Sequence, residues 1–212
     1  MTAMSDAPSK RPQWILFFVV GILSLVADQI TKIWARGSLP TIGHGSLPGN
    51  VCKVPDDIIA HLCQGQNVKI VEGFWDWRLS MNPGSAFGLF SNLTVGRVLL
   101  SIVGIGAVIG MIFMLRKARP DQKVLHWALA LVAGGAIGNL VDRIYFGVVT
   151  DFVLWHAHSH EWPVFNVADV VLVIGVGLMF IDIQKENKRE KVLKAARDEK
   201  AREQGLVKDL QE

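Results

Sequence analysis

The chain has 212 residues, half of them hydrophobic, with a formal net charge of +3. Its mean hydropathy is positive, +0.33, and its charge is concentrated at the ends and in two loops, a membrane composition that excludes an ordinary soluble domain. The basic residues flank apolar runs rather than alternating with aromatics, so they suit a phospholipid bilayer and argue against a nucleic-acid partner.

A bilayer core takes roughly 20 apolar residues in a helix, and four stretches qualify, 14–34, 95–115, 124–144 and 165–183. The first follows Lys10 and Arg11 but is too long for a cleaved leader, contains Asp28 and lacks a small-residue cleavage site, so it reads as a retained helix. The connection 36–94 comes next. Its part from Gly37 to Gln66, with Pro40, Pro48 and Pro55, reads as irregular. Cys52 and Cys63 lie there, too few for a disulfide scaffold, and either bond to each other or remain two thiols. In an oxidising compartment, closing so short a loop would add about 3 kcal/mol. Val68 to Ser80 is rich in β-branched and aromatic residues, including Trp75 and Trp77, and predicts short strands at the interface. The second helix is uncharged after Arg97 and carries Gly106 and Gly110 in a GxxxG spacing, which predicts a close-packing face.

The third helix ends with Asn139, Asp142 and Arg143, Asp151 follows in the next loop, and the fourth helix begins with Asn166 and Asp169. Residues 184–212 mix Lys, Arg, Glu and Asp and read as a charged, solvated helical tail after a single membrane-embedded unit, 1–183. Short basic segments at Lys10 and Arg11, at Arg116, Lys117 and Arg119, and at Lys185, Lys188, Arg189 and Lys191 place both termini in the cytoplasm. The expected fold is therefore a membrane all-α protein. It has four transmembrane helices and a small periplasmic β-rich segment between the first and second.

Each ionisable group in a span costs about 2.5–3.5 kcal/mol at the bilayer centre and is a functional candidate by default. Asp28 and Lys32 share one face of the first helix at i, i+4. With the first and third helices running outward and the fourth inward, all the polar groups fall at one depth. Asp151 and Asp169, on either side of one loop, suit acid and base work. Repulsion and burial split the pKa values of such a pair, leaving an ionised member to take a proton from water and a neutral one to donate to an oxyanion. The plain alternative is buried ion pairing, which fits Asp28 with Lys32 and Asp142 with Arg143 better than it fits Asp151 and Asp169.

Three other chemistries are conceivable for these residues. A proton relay would need polar steps reaching the other side of the membrane. A metal site is the tempting reading of His156, His158, His160 and Glu161, because alternate residues of an extended segment share a face, yet no H-E-x-x-H helix exists and no metal or other cofactor is expected. A dyad of Ser24 with Lys32 would need a neutral lysine, and Asp28 keeps it charged.

The motifs together resemble the lipoprotein signal peptidase family. They are Asp28-Gln29 with Thr31-Lys32; Asn82-Pro83-Gly84-Ser85-Ala86-Phe87; the run Gly134 to Arg143; Gly147 with Val149-Thr150-Asp151-Phe152; and Phe165-Asn166-Val167-Ala168-Asp169. Five motifs in this order, each at its place relative to four spans, make a specific match. The resemblance implies an intramembrane aspartic endopeptidase of the bacterial inner membrane, functioning as a monomer without metal. It implies removal of signal peptides from diacylglyceryl-modified prolipoproteins just before the lipid-bearing cysteine, with Asp151 and Asp169 catalytic on the periplasmic side. It also implies that Asn82, Gly84, Asn139, Arg143 and Asn166 position substrate or the pair, and that Asp28, Lys32 and Asp142 support the site. The segment 37–66 is longer than the usual connection and leaves substrate preference open.

Overall fold

The computed structural model describes residues 11–41, 65–84, 93–157 and 160–209. Cys52 and Cys63, with the choice between disulfide and thiols, and Ser85 to Phe87 lie outside them. In chain order the elements are α1 (Arg11–Ser38), β1 (Val68–Val71), β2 (Trp75–Asn82), α2 (Leu93–Lys117), α3 (Lys123–Tyr145), β3 (Val149–Ala157), β4 (His160–Glu161) and α4 (Val167–Asp209).

Among the described residues, four helices are long and apolar enough to cross a membrane, over Gln13–Ser38, Gly96–Lys117, Lys123–Tyr145 and Val167–Arg202. Half of α3's apolar window is buried inside the protein, against 11% for α1 and for α2, so α3 is the helix around which the others pack. Glycine makes this possible. A Cβ at Gly134 would stand 2.6 Å from the Gly21 oxygen of α1, and one at Gly135 would stand 2.6 Å from the Ala168 oxygen of α4. Without side chains there, two helices approach α3 on adjacent faces.

Two expectations are corrected. Gly106 and Gly110 meet no other described atom within 4 Å of a built Cβ, so the GxxxG of α2 is not a packing face within the bundle. A glycine spacing marks where close approach is possible. Which helix accepts it depends on the facing surface, and α3 supplies that surface for α1 and α4. The second correction concerns the sheet. It is four-stranded and antiparallel in the order β1-β2-β3-β4, so two of its strands come from the α3–α4 connection rather than from the segment between the first two helices.

The sheet sits on the C-terminal end of α1 and the start of α4. Ala35, Leu39, Leu79 and Phe152 form its buried core, with Trp77, Met81 and Val167 packed alongside. Its register sets Ser80 opposite Asp151, Met81 opposite Thr150 and Asn82 opposite Val149. A separate core of Phe17, Met111, Leu115, Leu125, Leu129, Ala130 and Ala133 fills the other half of the bundle. The change to charged composition at residue 184 is not a break in structure, because α4 runs unbroken to Asp209.

Candidate active site

The polar residues of α1, α3, β3 and α4 meet beneath the sheet. Asp28, Lys32, Asp142, Thr150 and Asn166 are all 0% exposed. Spacing along α1 explains the first part, since residues 28, 32 and 36 stack on one helical face. Lys32 Nζ lies 2.8 Å from Asp28 Oδ2 and 3.6 Å from Asp142 Oδ2, and Arg36 Nη1 lies 3.7 Å from Asp142 Oδ1. Charges therefore alternate along a buried row. The cations of Asp142 come from α1, not from its chain neighbour Arg143, because consecutive helical residues point about 100° apart. Arg143 instead donates to the Asn139 oxygen at 3.4 Å, and its charge faces Asp169 first and Asp151 next.

Asp28 also reaches α4, where its Oδ1 accepts from the Ala168 N–H at 2.9 Å. A Cβ at Gly138 would lie 2.5 Å from Asp28 Oδ2, so only glycine leaves room for that carboxylate. Lys32 Nζ donates onward to Asn139 Oδ1 at 2.9 Å, which turns the Asn139 amide so that its Nδ2 donates to Asp169 Oδ1 at 2.9 Å.

Asn166 and Asp169 open α4 as a reciprocal cap. The Asp169 N–H donates to Asn166 Oδ1 at 3.0 Å, and the Asn166 N–H donates to Asp169 Oδ2 at 3.2 Å. This is a capping box with aspartate in the third helical position, and a carboxylate there is favoured by the helix dipole. The free end of the same asparagine, Nδ2, donates to Asp151 Oδ1 at 2.6 Å. One side chain thus ties Asp151 on the strand to Asp169 on the helix. Asn82 Nδ2 holds the other oxygen of Asp151 at 3.0 Å, while Asn82 Oδ1 accepts from the Gly84 N–H at 2.8 Å. Gly84 has φ of +93°, and Leu100 of α2 occupies the space a Cβ would need.

Burial, with the Asp169 charge second, pushes the Asp151 carboxyl up to about 7, against the donors Asn82 and Asn166 and the charge of Lys32. A carboxyl so placed holds a proton near neutral pH that an ordinary one would have lost. The site therefore contains two carboxylic groups in unlike settings, with the Arg143 charge acting on both.

The sequence Signal peptidase (SPase) II family matches residues 20–185. The chain belongs to the signal peptidase II family. It is accordingly a peptidase and a multi-pass membrane protein of signal-peptide processing. A lipoprotein signal peptidase of Syntrophotalea carbinolica is 40% identical over 172 residues, covering 81% of this chain and 92% of that one. One of Geobacter metallireducens is 31% identical over 180 residues, covering 85% and 97%. Among solved structures, a bacterial membrane enzyme determined at 2.3 Å resolution shares the fold at TM-score 0.60 with 23% identity, over 81% of this chain and 88% of that one.

The residues picked out in this signal peptidase II member by sequence fall into two groups. Asp28, Lys32, Asn82, Gly84, Asn139, Asp142, Arg143, Asp151, Asn166 and Asp169 all belong to the network just described. The histidine loop does not join it. His156 Nε2 faces Asp76 Oδ1 at 3.4 Å, and Glu161 pairs with Arg78 at 2.9 Å. His158 lies outside the described residues, and among the described residues no three His, Cys, Asp or Glu side chains are grouped to hold an ion. Ser24 is buried where α1 meets Gly134, two turns from Lys32. Arg36 and Thr150 also join the network; Thr150 stands in the motif around Asp151, and Arg36 follows Lys32 by one i, i+4 step.

Proposed function

We propose that this chain removes signal peptides from prolipoproteins as an aspartic endopeptidase, cutting the diacylglyceryl-modified substrate just before its lipidated cysteine. The observation that carries this reading is the Asn166 bridge, which holds Asp151 and Asp169 in one network with different surroundings. Asp169, in the first turn of α4, accepts from the Asn166 backbone N–H and from Asn139 Nδ2 of α3, so it is the member assigned to take a proton from water as the water oxygen attacks the scissile carbonyl. Asp151, held protonated up to about pH 7, donates to the carbonyl oxygen as it becomes an oxyanion. When the tetrahedral carbon collapses, the C–N bond breaks and the proton taken from water passes to the departing amine. No metal or other cofactor enters these steps.

Asn82, Gly84, Asn139, Arg143 and Asn166 hold substrate or the pair in place, and Asp28, Lys32 and Asp142 fix the helices beneath them. The positive-inside pattern puts both termini in the cytoplasm of a bacterial inner membrane and the site toward the periplasm. There, a bundle open sideways to lipid takes an acylated substrate without removing it from the membrane plane. The chain acts as a monomer, with no nucleic-acid partner, and residues 184–212 form a cytoplasmic tail after the membrane-embedded unit 1–183.

The test is cleavage of a diacylglyceryl-modified prolipoprotein by detergent-purified protein, with a strong chelator present throughout. Native protein should cleave, and folded Asp151→Asn and Asp169→Asn should not. Near-native turnover in either variant would sink the pair assignment. Inactivity of the native protein only when chelator is present would move the chemistry to His156, His158 and His160.

A further inference from the structure

Arg36 belongs to no motif that carries the family resemblance, yet it is buried at 8% exposure where α1 meets β3. Its guanidinium has three separate anchors. Nη1 donates to Thr150 Oγ1 at 2.7 Å, the same nitrogen stands 3.7 Å from Asp142 Oδ1, and the guanidinium carbon lies 4.3 Å above the Phe146 ring. A counter-ion for Asp142 would not need this arrangement, because Lys32 already supplies one at 3.6 Å. What Arg36 adds is a directed donor and a stacked plane, which a lysine cannot provide together.

Thr150 immediately precedes Asp151, and every polar group it has is bound. Its N–H donates to Asp142 Oδ2 at 2.8 Å, its carbonyl oxygen accepts from Asn166 Nδ2 at 3.3 Å, and its hydroxyl oxygen accepts from Arg36. The Asn166 nitrogen that reaches the Thr150 carbonyl shares its two hydrogens with Asp151 Oδ1 at 2.6 Å and Asn139 Oδ1 at 3.1 Å. A strand residue fixed at all three groups leaves its successor little freedom. We propose that Arg36 is a positioning residue for the reaction, holding Thr150 so that the Asp151 carboxyl keeps its place against Asn166 and Asp169. This inference rests on the two-aspartate reading above.

The experiment measures kcat and KM for prolipoprotein cleavage by the full chain purified in detergent. The variants are Arg36→Met, Arg36→Lys, Thr150→Val, Thr150→Ser, the double Arg36→Met/Thr150→Val, and Asp151→Asn. Arg36→Met and Thr150→Val should each lower kcat by roughly 10- to 100-fold, the scale of a sub-ångström to 1 Å misplacement, with KM little changed. The double variant should be no slower than the worse single one, since both remove the same link. Thr150→Ser should regain most of what Thr150→Val loses, and Arg36→Lys should not regain what Arg36→Met loses. Native kcat in Thr150→Val, a change confined to KM, or losses that multiply in the double variant would overturn the inference. If Arg36→Met does not fold, the comparison of Thr150→Val with Thr150→Ser decides alone, because it removes no buried charge. Turnover by Asp151→Asn would instead sink the two-aspartate reading itself.

Discussion

The two ends of the bundle use the same ion-pair chemistry under opposite conditions. At the sheet end, Lys32 and Asp28 meet at 2.8 Å with both side chains fully buried. At the far end, Arg189 and Asp121 meet at 2.6 Å with their side chains 50% and 55% exposed, and Arg119 reaches Glu186 at 2.6 Å. Judged by distance alone, the far pair is the stronger. Burial changes what losing a partner costs, because water screens the exposed charges, whereas a buried charge left alone is not solvated. Between the ends lies an apolar core containing Phe17, Leu129 and Ala133. The far end also buries Gln13, His126 and Asp182, of which Asp182 accepts from Gln122 Nε2 at 3.1 Å, whereas the sheet end brings two carboxylic groups to one residue, Asn166, whose side chain donates to Asp151 and whose backbone donates to Asp169.

This contrast can be broken in order of expected effect. The largest change is chemical: Asp151→Asn or Asp169→Asn should lower turnover by about 10²–10⁴-fold, the range of general acid–base catalysis, while a chelator leaves the native rate alone. Lys32→Met strands Asp28 and leaves Asp142 with Arg36 alone, and should cost about 3–5 kcal/mol of stability, read as a lower unfolding temperature in detergent. Gly138→Ala should cost about 1–3 kcal/mol by forcing Asp28 aside, and the Asp28 link to Ala168 should weaken with it. That outcome would show as lost stability and lost turnover together.

A smaller effect concerns pH. Asn82 donates to Asp151 and so favours its ionised form, opposing the burial that lifts the carboxyl to about 7. Asn82→Ala removes that opposition, raises the carboxyl further and should move the alkaline decline of kcat to higher pH. A shift to lower pH would contradict the assignment of Asp151 as the protonated member. Linkage has a definite sign here too. The folded chain holds the Asp151 proton more tightly than the unfolded one, so the site's contribution to stability is lost as pH rises from the ordinary carboxylate range through about 7. At the far end, Asp121→Asn should leave both turnover and unfolding temperature unchanged within measurement.

Much of the site was legible in the chain, and the reason is physical. A charge in an apolar span is so costly that Asp28, Lys32, Asp142 and Asp169 announce themselves, and hydropathy alone placed the four helices to within a few residues of their starts. Other features were invisible because they depend on what faces what. The partner of Asp142 was expected next to it in sequence and stands on another helix. The packing glycines were expected in α2 and stand in α3. Arg36 sits at the edge of a span, where an arginine reads as an ordinary interfacial anchor, and Thr150 stands in a motif whose chemistry belongs to Asp151, so nothing in the sequence marks its hydroxyl as the partner of Arg36.

What the sequence determined by itself is the inventory: four apolar helices, a cluster of polar groups at one depth, and two aspartates flanking one loop. Those follow from composition and period, which the bilayer reads one residue at a time. The tertiary structure decided the pairing. It gave Asp169 a cap in the first turn of α4 and set Asp151 on a buried strand, and it spanned the two with Asn166. A hydrogen bond is directional and short, so which carboxylic group keeps a proton depends on donors brought from α3, α4 and the sheet, and no spacing along the chain encodes their convergence.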